Sequence, residues 1–314
     1  MEKRRIGSLE VSLVGLGCNN FGWRTGAESS AAVVNAAIEA GINFFDTADI
    51  YGAGASEEFL GLALGRRRDE VLIATKFGMK MDEQRRGARP EYVQRAAEDS
   101  LRRLGTDRID LYQIHQPDPD VPIAETLGAL DDLVRAGKVR EIGCSNFSGE
   151  LLRAAEAGAP ADGARFVSVQ NQYSLTHRDP EKDVIPECVS LGIAFIPYFP
   201  LANGLLTGKY RRGQPLPEGS RAHDGFGPKV FTDENLVLVE MLSEYASAHG
   251  HTMLELAVSW LAAQPAVASV IAGAKTPEQV KANAAAAAWR LTGADLEGIE
   301  AILARAQAGR PVAT

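Results

Sequence analysis

Residues 71–114 read VLIATKFGMKMDEQRRGARPEYVQRAAEDSLRRLGTDRIDLYQI, and this stretch holds one strand–helix–strand unit. Its two ends, 71–75 and 110–114, are short runs typical of buried strands. Between them, residues 90–104 form an amphipathic helical pattern that begins at a proline and ends before a glycine. Its apolar stripe comprises Val93, Ala96, Ala97, Leu101 and Leu104. This order of elements predicts two parallel neighbours in one sheet covered by a helix.

The same alternation continues in both directions along the chain. Six further runs rich in β-branched and aromatic residues predict strands. They are SLVGLG at 12–17, INFF at 42–45, VREIG at 139–143, FVSVQ at 166–170, GIAFIP at 192–197 and ASVIAG at 268–273. Helix signals stand between them: Ser29 and Ser30 as caps of a helix ending at Gly41, Pro122 opening a helix that ends near Gly137, and Pro277 opening another.

Eight strands favour an α/β fold of the closed (β/α)8 TIM barrel type over a doubly wound open sheet. The first turn, GLGCNN at 15–20, lacks the third glycine of the G-x-G-x-x-G pattern found in dinucleotide-binding open sheets. No repeat or linker divides the 314 residues, so we expect a single domain over 1–314. One connection, from about 201 to 232 after the seventh barrel strand, is long enough to be a binding loop or a lid.

Composition narrows the class of protein. With 45% hydrophobic and 24% charged residues, the chain can bury a large core. Its net charge of -8 argues against general nucleic-acid binding, which needs a surplus of Lys and Arg on one face. Three cysteines (Cys18, Cys144 and Cys188) match neither a metal site nor a redox pair, and they fit a reducing compartment. Since neither a signal peptide nor a membrane span is recognisable, we expect a cytoplasmic protein.

Polar residues follow several of the predicted strands. In a barrel, the carboxyl ends of the strands meet at one open face, where reactive groups belong. The residues at these ends are Asp46, Lys76, His115, Asn146, Gln170 and Tyr198. Taken singly, each has a simple structural explanation, such as a turn residue, a solvated strand end or a core aromatic. Their convergence on one face is the argument for an active site.

Tyr51, a few residues beyond Asp46, adds a proton donor to this set. A free tyrosine has a pKa near ~10, so proton exchange at neutral pH needs a nearby positive charge. A lysine ammonium at about 4 Å, in an effective dielectric of about 20, favours the phenolate by about 4 kcal/mol before desolvation is subtracted. We therefore expect Lys76 to lower the pKa of Tyr51 and Asp46 to hold that lysine charged. No metal-ligand spacing or nucleophile motif competes with this arrangement.

The segments GINFFDTADIYGAGASEEFLG at 41–61 and DRIDLYQIHQPDP at 107–119, together with IGCSNFS and VQNQYS, resemble motifs of the aldo-keto reductase family. The motifs stand in family order, and the resemblance extends from about residue 6 to 300. It implies a (β/α)8 barrel that binds an extended nicotinamide cofactor. It also implies Tyr51 as general acid/base, Lys76 and Asp46 as the pair that tunes it, and His115 as the residue that orients the substrate carbonyl.

The resemblance further implies a cofactor site along the strand ends. Ser145, Asn146 and Gln170 are expected at the carboxamide, and Tyr198 stacks on the nicotinamide ring unless it is a core aromatic. The GLLTGK segment at 204–209 covers the pyrophosphate, where Lys209 either pairs with a phosphate or lies in water. The full cofactor set is Gly17, Cys18, Asn19, Asp46, Ser145, Asn146, Gln170, Tyr198, Pro200, Leu201, Gly204, Leu205, Lys209, Gly273, Lys275, Gln279 and Asn283.

The adenosine end of that site decides the choice of cofactor. Lys275 and the start of the helix at Pro277 suit the 2′-phosphate of NADPH. Gly273, however, stands where better-known family members carry a lysine, so NADH stays possible. Substrate contacts are expected from Phe21, Trp23, Tyr51, Phe77 and His115. Loops 20–26 and 77–88 and the segment around Phe226 are expected to form the rest of the substrate pocket.

We therefore expect reversible reduction of a small aldehyde or ketone with NADPH. One other function stays open, a weakly catalytic nicotinamide-binding subunit that senses redox state. A third, a cofactor-free barrel lyase or isomerase, is not supported, because the sequence offers no metal-binding carboxylate cluster for it. We expect neither a nucleic acid nor a membrane as partner, and self-association stays possible.

Overall fold

The computed structural model describes residues 1–216, 220 and 227–308. An antiparallel hairpin of β1 (Lys3–Ile6) and β2 (Leu9–Ser12) begins the chain. Eight parallel strands follow, in the spatial order β10-β3-β4-β5-β6-β7-β8-β9. They are β3 (Val14–Gly17), β4 (Phe44–Asp46), β5 (Leu72–Phe77), β6 (Ile109–Ile114), β7 (Val139–Ser145), β8 (Phe166–Gln172), β9 (Ala194–Tyr198) and β10 (Val270–Gly273). All eight predicted strands are confirmed, with ends that move by a few residues.

Backbone hydrogen bonds around Phe195 link the last edge of this sheet to the first. Its N–H donates to Ala266 O at 2.7 Å, and its carbonyl accepts from the N–H of Ala268 at 3.0 Å. These bonds tie β9 to the segment just before β10. The eight strands therefore form a nearly closed barrel, and the (β/α)8 prediction is confirmed.

Helices cover the outside of the barrel and bury an apolar face against it. They are α1 (Ala27–Glu39), α2 (Ala55–Leu64), α3 (Pro90–Leu104), α4 (Ile123–Arg135), α5 (Gly149–Gly158), α6 (Val184–Leu191), α7 (Gly227–Val230), α8 (Asp233–Ala248), α9 (Met253–Ala262), α10 (Pro277–Ala285) and α11 (Gly293–Ala308). Short 3-10 turns lie at Tyr51–Gly54, Gly65–Glu70, Asp179–Lys182, Ala202–Thr207 and Ala286–Ala288.

Some helices have the bounds predicted from the sequence, and others begin at a different residue. Helix α3 has the predicted bounds, with Pro90 in its first turn and Gly105 in the left-handed conformation after it. Helix α1 starts earlier than predicted, with Gly26 as its N-cap, so Ser29 and Ser30 lie inside it instead of capping it. The Ser30 hydroxyl instead lies 2.9 Å from that of Thr25, in the preceding loop. The described part of the long connection 201–232 includes the 3-10 turn at Ala202–Thr207 and α7.

The N-terminal hairpin, which the sequence did not predict, closes the amino-terminal end of the barrel. Ile6, Leu9 and Val11 are fully buried there against side chains from inside the barrel such as Phe44 and Leu111. The Ser8 N–H also donates to Glu141 Oε1 at 2.7 Å. The opposite end of the barrel, at the carboxyl ends of the strands, is where a barrel of this kind places its binding site.

Within the described part of the chain, no helix combines the length and the apolar character needed to cross a bilayer.

Candidate active site

A buried ion pair stands at the carboxyl ends of β4 and β5. The Lys76 side chain is fully buried and its Nζ donates to Asp46 Oδ1 at 2.6 Å. The same Nζ donates to Thr47 O at 2.8 Å and lies 3.5 Å from the Tyr51 hydroxyl oxygen. A buried ammonium is stable only when partners replace its hydration, and here three oxygens do so. The structure thus brings together three of the residues that the sequence predicted as a reaction centre.

Two amides occupy the second carboxylate oxygen of Asp46. Gln170 Nε2 donates to Oδ2 at 2.8 Å from β8, on the opposite side of the barrel, and Gln113 Nε2 lies 3.4 Å away from β6. Gln113 reaches this position because it pairs with Lys76 in the register of β5 and β6. These two amides and Lys76 thus provide partners for both carboxylate oxygens of Asp46. The role of Gln113 was not predicted from the sequence, and Gln170 was predicted as a cofactor ligand rather than as a partner of Asp46.

Tyr51 is held by a tight turn after β4. It begins the 3-10 turn Tyr51–Gly54, in which Gly52, Ala53 and Gly54 have φ angles of 58°, 56° and 101°. A left-handed φ is strained at Ala53, which carries a Cβ, and such strain is found where a fold imposes a special geometry. The turn directs the Tyr51 ring toward Lys76, whose Nζ lies 5.1 Å from the ring centroid.

The electrostatics of Tyr51 differ from the prediction in net direction. Burial raises the pKa of Tyr51 above its usual 10.0, and the nearby Lys76 ammonium offsets this only in part. Burial also acts to lower the pKa of Lys76, but Asp46 and Tyr51 outweigh it and raise the pKa. The predicted geometry is present, but desolvation outweighs the tuning effect in this structure. Tyr51 is therefore a protonated donor, and Lys76 is a cation.

His115 lies beside this group, at the end of β6. Its ring meets the ring of Tyr51 edge to face, with the centroids 5.8 Å apart. Burial, and secondarily the charge of Lys76, lower the pKa of His115 to about 3. The imidazole is therefore neutral at physiological pH and can donate one hydrogen bond. Its Nδ1 has no hydrogen-bond partner among the described residues.

Tyr51 and His115 open into a cavity of about 680 Å³ at the carboxyl ends of the strands. Most of the predicted cofactor set lines this cavity. The lining members are Gly17, Asn19, Asp46, Ser145, Asn146, Gln170, Tyr198, Pro200, Leu201, Gly204, Lys209, Gly273, Lys275, Gln279 and Asn283. Cys18 and Leu205 do not line it, because both side chains are fully buried in the hydrophobic core.

Polar groups surround Asn146 near the reaction centre. Asn146 Nδ2 donates to His115 O at 2.9 Å and Ser145 Oγ at 3.1 Å, while its Oδ1 accepts from the Tyr198 hydroxyl at 2.8 Å. Its φ of 61° is a further strained position at the cavity. The ring of Tyr198 lies at the cavity wall and packs edge to face on Phe199.

The far end of the cavity is the amino-terminal end of α10. Thr276 caps this helix by accepting from the Gln279 N–H, and the Gln279 side chain in turn accepts from the Lys275 N–H at 2.8 Å. The amino-terminal end of a helix carries a partial positive charge, and with Lys275 beside it this end of the cavity suits a phosphate.

Several cavity residues were missed by the sequence analysis. Some are small or apolar residues beside predicted ones, and others come from loops without a recognisable pattern. They are Gln116, Phe199, Asn203, Ser220, Leu254, Ile271, Ala272 and Ala282. Three further lining residues lie in predicted segments: Asn20 and Met79 in the substrate loops 20–26 and 77–88, and Thr207 in the segment 204–209. Phe199 and Asn203 carried a usable signal, since each stands between predicted cofactor residues: Phe199 between Tyr198 and Pro200, and Asn203 between Leu201 and Gly204.

The predicted substrate aromatics are placed differently. Phe21 and Phe77 are fully buried in the core, where Phe77 packs on Tyr112 with ring centroids 4.8 Å apart. Neither side chain therefore contributes a cavity wall, contrary to the prediction. Trp23 is 64% exposed, with the Arg24 guanidinium over its ring. The expected contact around Phe226 lies outside the described residues.

The aldo/keto reductase family model matches residues 13–304. The chain belongs to the aldo/keto reductase family. It is 37% identical over 306 residues to the aldo-keto reductase YhdN of Bacillus subtilis, covering 94% of this chain and 91% of that protein. It is 36% identical to a probable aldo-keto reductase 1 of Glycine max, covering 92% of this chain and 85% of that protein.

Solved structures of aldo/keto reductases and their relatives share the fold. A glycerol dehydrogenase from Gluconobacter oxydans superposes with a TM-score of 0.86 at 32% identity, covering 99% of this chain and 98% of that one. The holo form of an aldo-keto reductase from Bacillus halodurans gives a TM-score of 0.81 at 33% identity, covering 96% of each chain. This aldo/keto reductase is thus an oxidoreductase of carbonyl or alcohol groups, from a family that uses nicotinamide cofactors and small carbonyl substrates.

Proposed function

We propose that the protein reduces an aldehyde or ketone to an alcohol with NADPH, reversibly, and that Tyr51 is its general acid/base. The observation that supports this most directly is the contact of Lys76 Nζ with Asp46 at 2.6 Å and with the Tyr51 hydroxyl at 3.5 Å. A proton donor, a cation that stabilises its conjugate base, and a carboxylate that holds the cation are the parts required for carbonyl protonation.

Tyr51 performs the proton step in this proposal. Because burial holds the pKa of Tyr51 above 10.0, the resting hydroxyl carries its proton and can donate it to a substrate carbonyl oxygen. Bound NADPH supplies the hydride that the carbonyl carbon receives. The phenolate left on Tyr51 is stabilised by the Lys76 ammonium, and it regains its proton from water. Oxidation of the alcohol runs the same proton transfer backward.

His115 positions the substrate in the proposal. Its neutral ring is a hydrogen-bond donor beside Tyr51, where a carbonyl oxygen can accept from both groups. A charged imidazolium would compete with Tyr51 for the developing alkoxide. Burial of His115, which lowers its pKa to about 3, avoids that competition.

The residues present fit an extended nicotinamide cofactor. The cavity has amide and hydroxyl groups of Ser145, Asn146 and Gln170 at one end and the amino terminus of α10 at the other. In the proposal, the first set binds the carboxamide and Tyr198 packs on the nicotinamide ring. Asn146 Oδ1 accepts from the Tyr198 hydroxyl in this structure, so carboxamide binding there requires that bond to be exchanged.

Preference for NADPH over NADH rests on Lys275 in this proposal. Lys275 lines the cavity next to the capped start of α10, where a 2′-phosphate would gain a charge-assisted hydrogen bond. Gly273 offers no side chain to that phosphate. Lys275 therefore acts without a second lysine, as a point charge.

We also propose one barrel domain over 1–314 and a cytoplasmic location. The domain proposal is supported by the match over 13–304, and the location by three buried free cysteines. The net charge of -8 supports a protein that does not bind nucleic acid.

A cofactor and substrate panel tests the proposed function. Purified protein is mixed with NADPH or NADH and a set of aldehydes and ketones, and absorbance and binding are followed together. Turnover with NADPH supports the reductase. Tight binding without turnover of any carbonyl contradicts it and favours a redox-sensing subunit instead, and failure to bind either nucleotide contradicts both.

A further inference from the structure

A second carboxyl lies close behind the reaction centre. Asp49 belongs to the loop between Asp46 and Tyr51 and is 2% exposed. It does not line the cavity, and its Oδ2 instead lies 3.5 Å from the hydroxyl of Tyr92 on α3. None of the roles proposed above uses this residue.

Asp49 shares its surroundings with another buried acid. Glu57 on α2 is fully buried and its two oxygens accept from Thr75 Oγ1 at 2.6 Å and from Arg103 Nε at 2.7 Å. Those contacts give each carboxyl oxygen of Glu57 a hydrogen-bond partner. Asp49 Oδ1, by contrast, has no hydrogen-bond partner among the described residues. One guanidinium therefore faces two carboxyls, and it is committed to Glu57.

The backbone of Asp49 connects this cluster to the reaction centre. The Asp49 N–H donates to the backbone carbonyl of Lys76 at 3.1 Å. Two residues earlier, the backbone carbonyl of Thr47 accepts from the Lys76 ammonium at 2.8 Å. The Tyr51 N–H in turn donates to Ala48 O at 3.2 Å. The loop 47–51 thus contacts Lys76 at both its backbone and its ammonium, and the same loop carries Tyr51.

We propose that Asp49 is a positioning residue that works as a neutral carboxylic acid, anchoring the loop 47–51 so that the Tyr51 hydroxyl stays within reach of the Lys76 ammonium. Ionisation of Asp49 places a second negative charge in the cluster without a cation to match it. The carboxylate then moves toward water or another donor, and the loop moves with it. A displacement of about 1 Å at a reacting group is enough to slow an enzyme by up to about 10²-fold. The inference rests on the proposed reductase function.

The surroundings of Asp49 favour its neutral form. Burial, and after it the charge of Glu57, raise the pKa of Asp49 to about 7, while Arg103 and hydrogen bonds from the Ile50 N–H and the Tyr92 hydroxyl offset the rise only in part. The titratable groups that face it are Glu57 from α2, Tyr92 and Arg103 from α3, and Tyr112 from β6. The Tyr112 hydroxyl is also buried without a partner among the described residues, and it makes no hydrogen bond to Asp49 in this structure.

The test is the pH dependence of kcat for carbonyl reduction in Asp49→Asn, which keeps a neutral, similarly shaped side chain. In the wild type we expect kcat to fall about tenfold from ~pH 6 to ~pH 9, with little change in KM for NADPH. Asp49→Asn should match the wild-type rate at ~pH 6 and lose most of that fall. Asp132→Asn, an exposed change on α4, serves as the matched control and should keep the wild-type profile.

Glu57→Gln gives an independent sign. Without the neighbouring negative charge, Asp49 ionises more easily, so the fall in kcat should move to lower pH. An unchanged alkaline fall in Asp49→Asn, or a shift to higher pH in Glu57→Gln, would overturn the proposal even if the protein reduces carbonyls with NADPH as proposed.

A second measurement needs no activity. The pKa of Asp49 is about 7 in the folded protein and 3.8 in a free aspartate. Between these two pH values the folded protein keeps the proton that the unfolded chain releases. The stability that the bound proton contributes is therefore lost as the pH rises from 3.8 to about 7. The melting temperature of Asp49→Asn should therefore rise relative to the wild type from ~pH 5 to ~pH 8, while that of Asp132→Asn should not. If this trend appears in a protein without turnover, the proposed function fails but the neutral acid stands. A flat difference overturns the neutral acid.

Discussion

At the scale of single residues, the protonation state of His115 decides how the site treats a carbonyl oxygen. Its pKa of about 3 follows from burial, with the charge of Lys76 acting in the same direction. We expect kcat for reduction to show no fall between ~pH 6.5 and ~pH 5, because the imidazole stays neutral throughout. A pH profile of the wild type checks this. A decline centred near the pKa of free histidine would show that His115 is protonated in the working enzyme.

Lys275 gives a second prediction at this scale. Replacement by methionine removes the charge next to the start of α10 while keeping the length of the side chain. NADPH affinity should fall about tenfold, which is about 1.4 kcal/mol, while NADH affinity stays within about twofold. Dissociation constants from quenching of tryptophan fluorescence measure both. Lys281→Met, an exposed change on the same helix, is the control. Equal losses for the two nucleotides would remove Lys275 from the discrimination.

The sequence predicted those site residues that directly follow strands, and it missed those that depend on contacts across the barrel. Lys76 and His115 are recognisable because the parallel strands that carry them end at one face. Gln113 stands inside an otherwise apolar strand, and its contact with Asp46 depends on the register of β5 and β6. The bond from Gln170 to Asp46 spans the barrel interior, which periodicity does not encode. The direction of the pKa shift of Tyr51 also depends on how deeply its side chain is buried. The sequence does not reveal that burial, because it follows from the complete fold.

At the scale of elements, α2 packs against the end of α3 through a glycine. A Cβ at Gly61 would lie 2.3 Å from the carbonyl oxygen of Leu104, a backbone atom that cannot swing away. Gly61→Ala should therefore destabilise the protein by about 1–3 kcal/mol. Urea unfolding measures the change.

Gly128, inside α4, is the matched control, since a Cβ there meets nothing within 4 Å. Gly128→Ala should stabilise the protein by about 0.5–1 kcal/mol, because alanine loses less backbone entropy in a helix. If both substitutions change stability in the same direction, the close approach of α2 to α3 is not what the structure indicates.

Elements with a clear hydrophobic period, such as α3, were predictable from the sequence. Elements whose bounds depend on a capping residue, and strands too short to show a period, were less predictable. The stripe of α3 fixed its bounds, because Pro90 and Gly105 bracket it. Helix α1 began before its serines, since the backbone at Gly26 already provides the extended N-cap. The β1–β2 hairpin escaped prediction, because its strands of 4 residues each carry charges alongside the apolar residues that face the barrel.

At the scale of the whole molecule, the hairpin that stabilises the barrel and the residues of the active site lie at opposite ends of the barrel. Leu9 is fully buried in the hairpin that closes the amino-terminal end. Leu9→Ala should cost about 2–5 kcal/mol of unfolding free energy, yet leave kcat/KM within about twofold, since the site lies at the far end. Denaturant unfolding and steady-state kinetics check the two parts. Its neighbour Glu10, which is exposed, supplies the control Glu10→Ala. A large loss of kcat/KM in folded Leu9→Ala would show that the N-terminal hairpin and the active site are energetically coupled.

The most direct test of the account is the Tyr51→Phe variant, measured for NADPH binding and for carbonyl reduction on the same preparation, with Tyr245→Phe on α8 as the control. The variant removes one hydroxyl oxygen, the one 3.5 Å from Lys76 Nζ, and keeps the ring. We predict NADPH binding within about twofold of the wild type and a loss of about 10²–10⁴-fold in kcat. Reduction at the wild-type rate would contradict it.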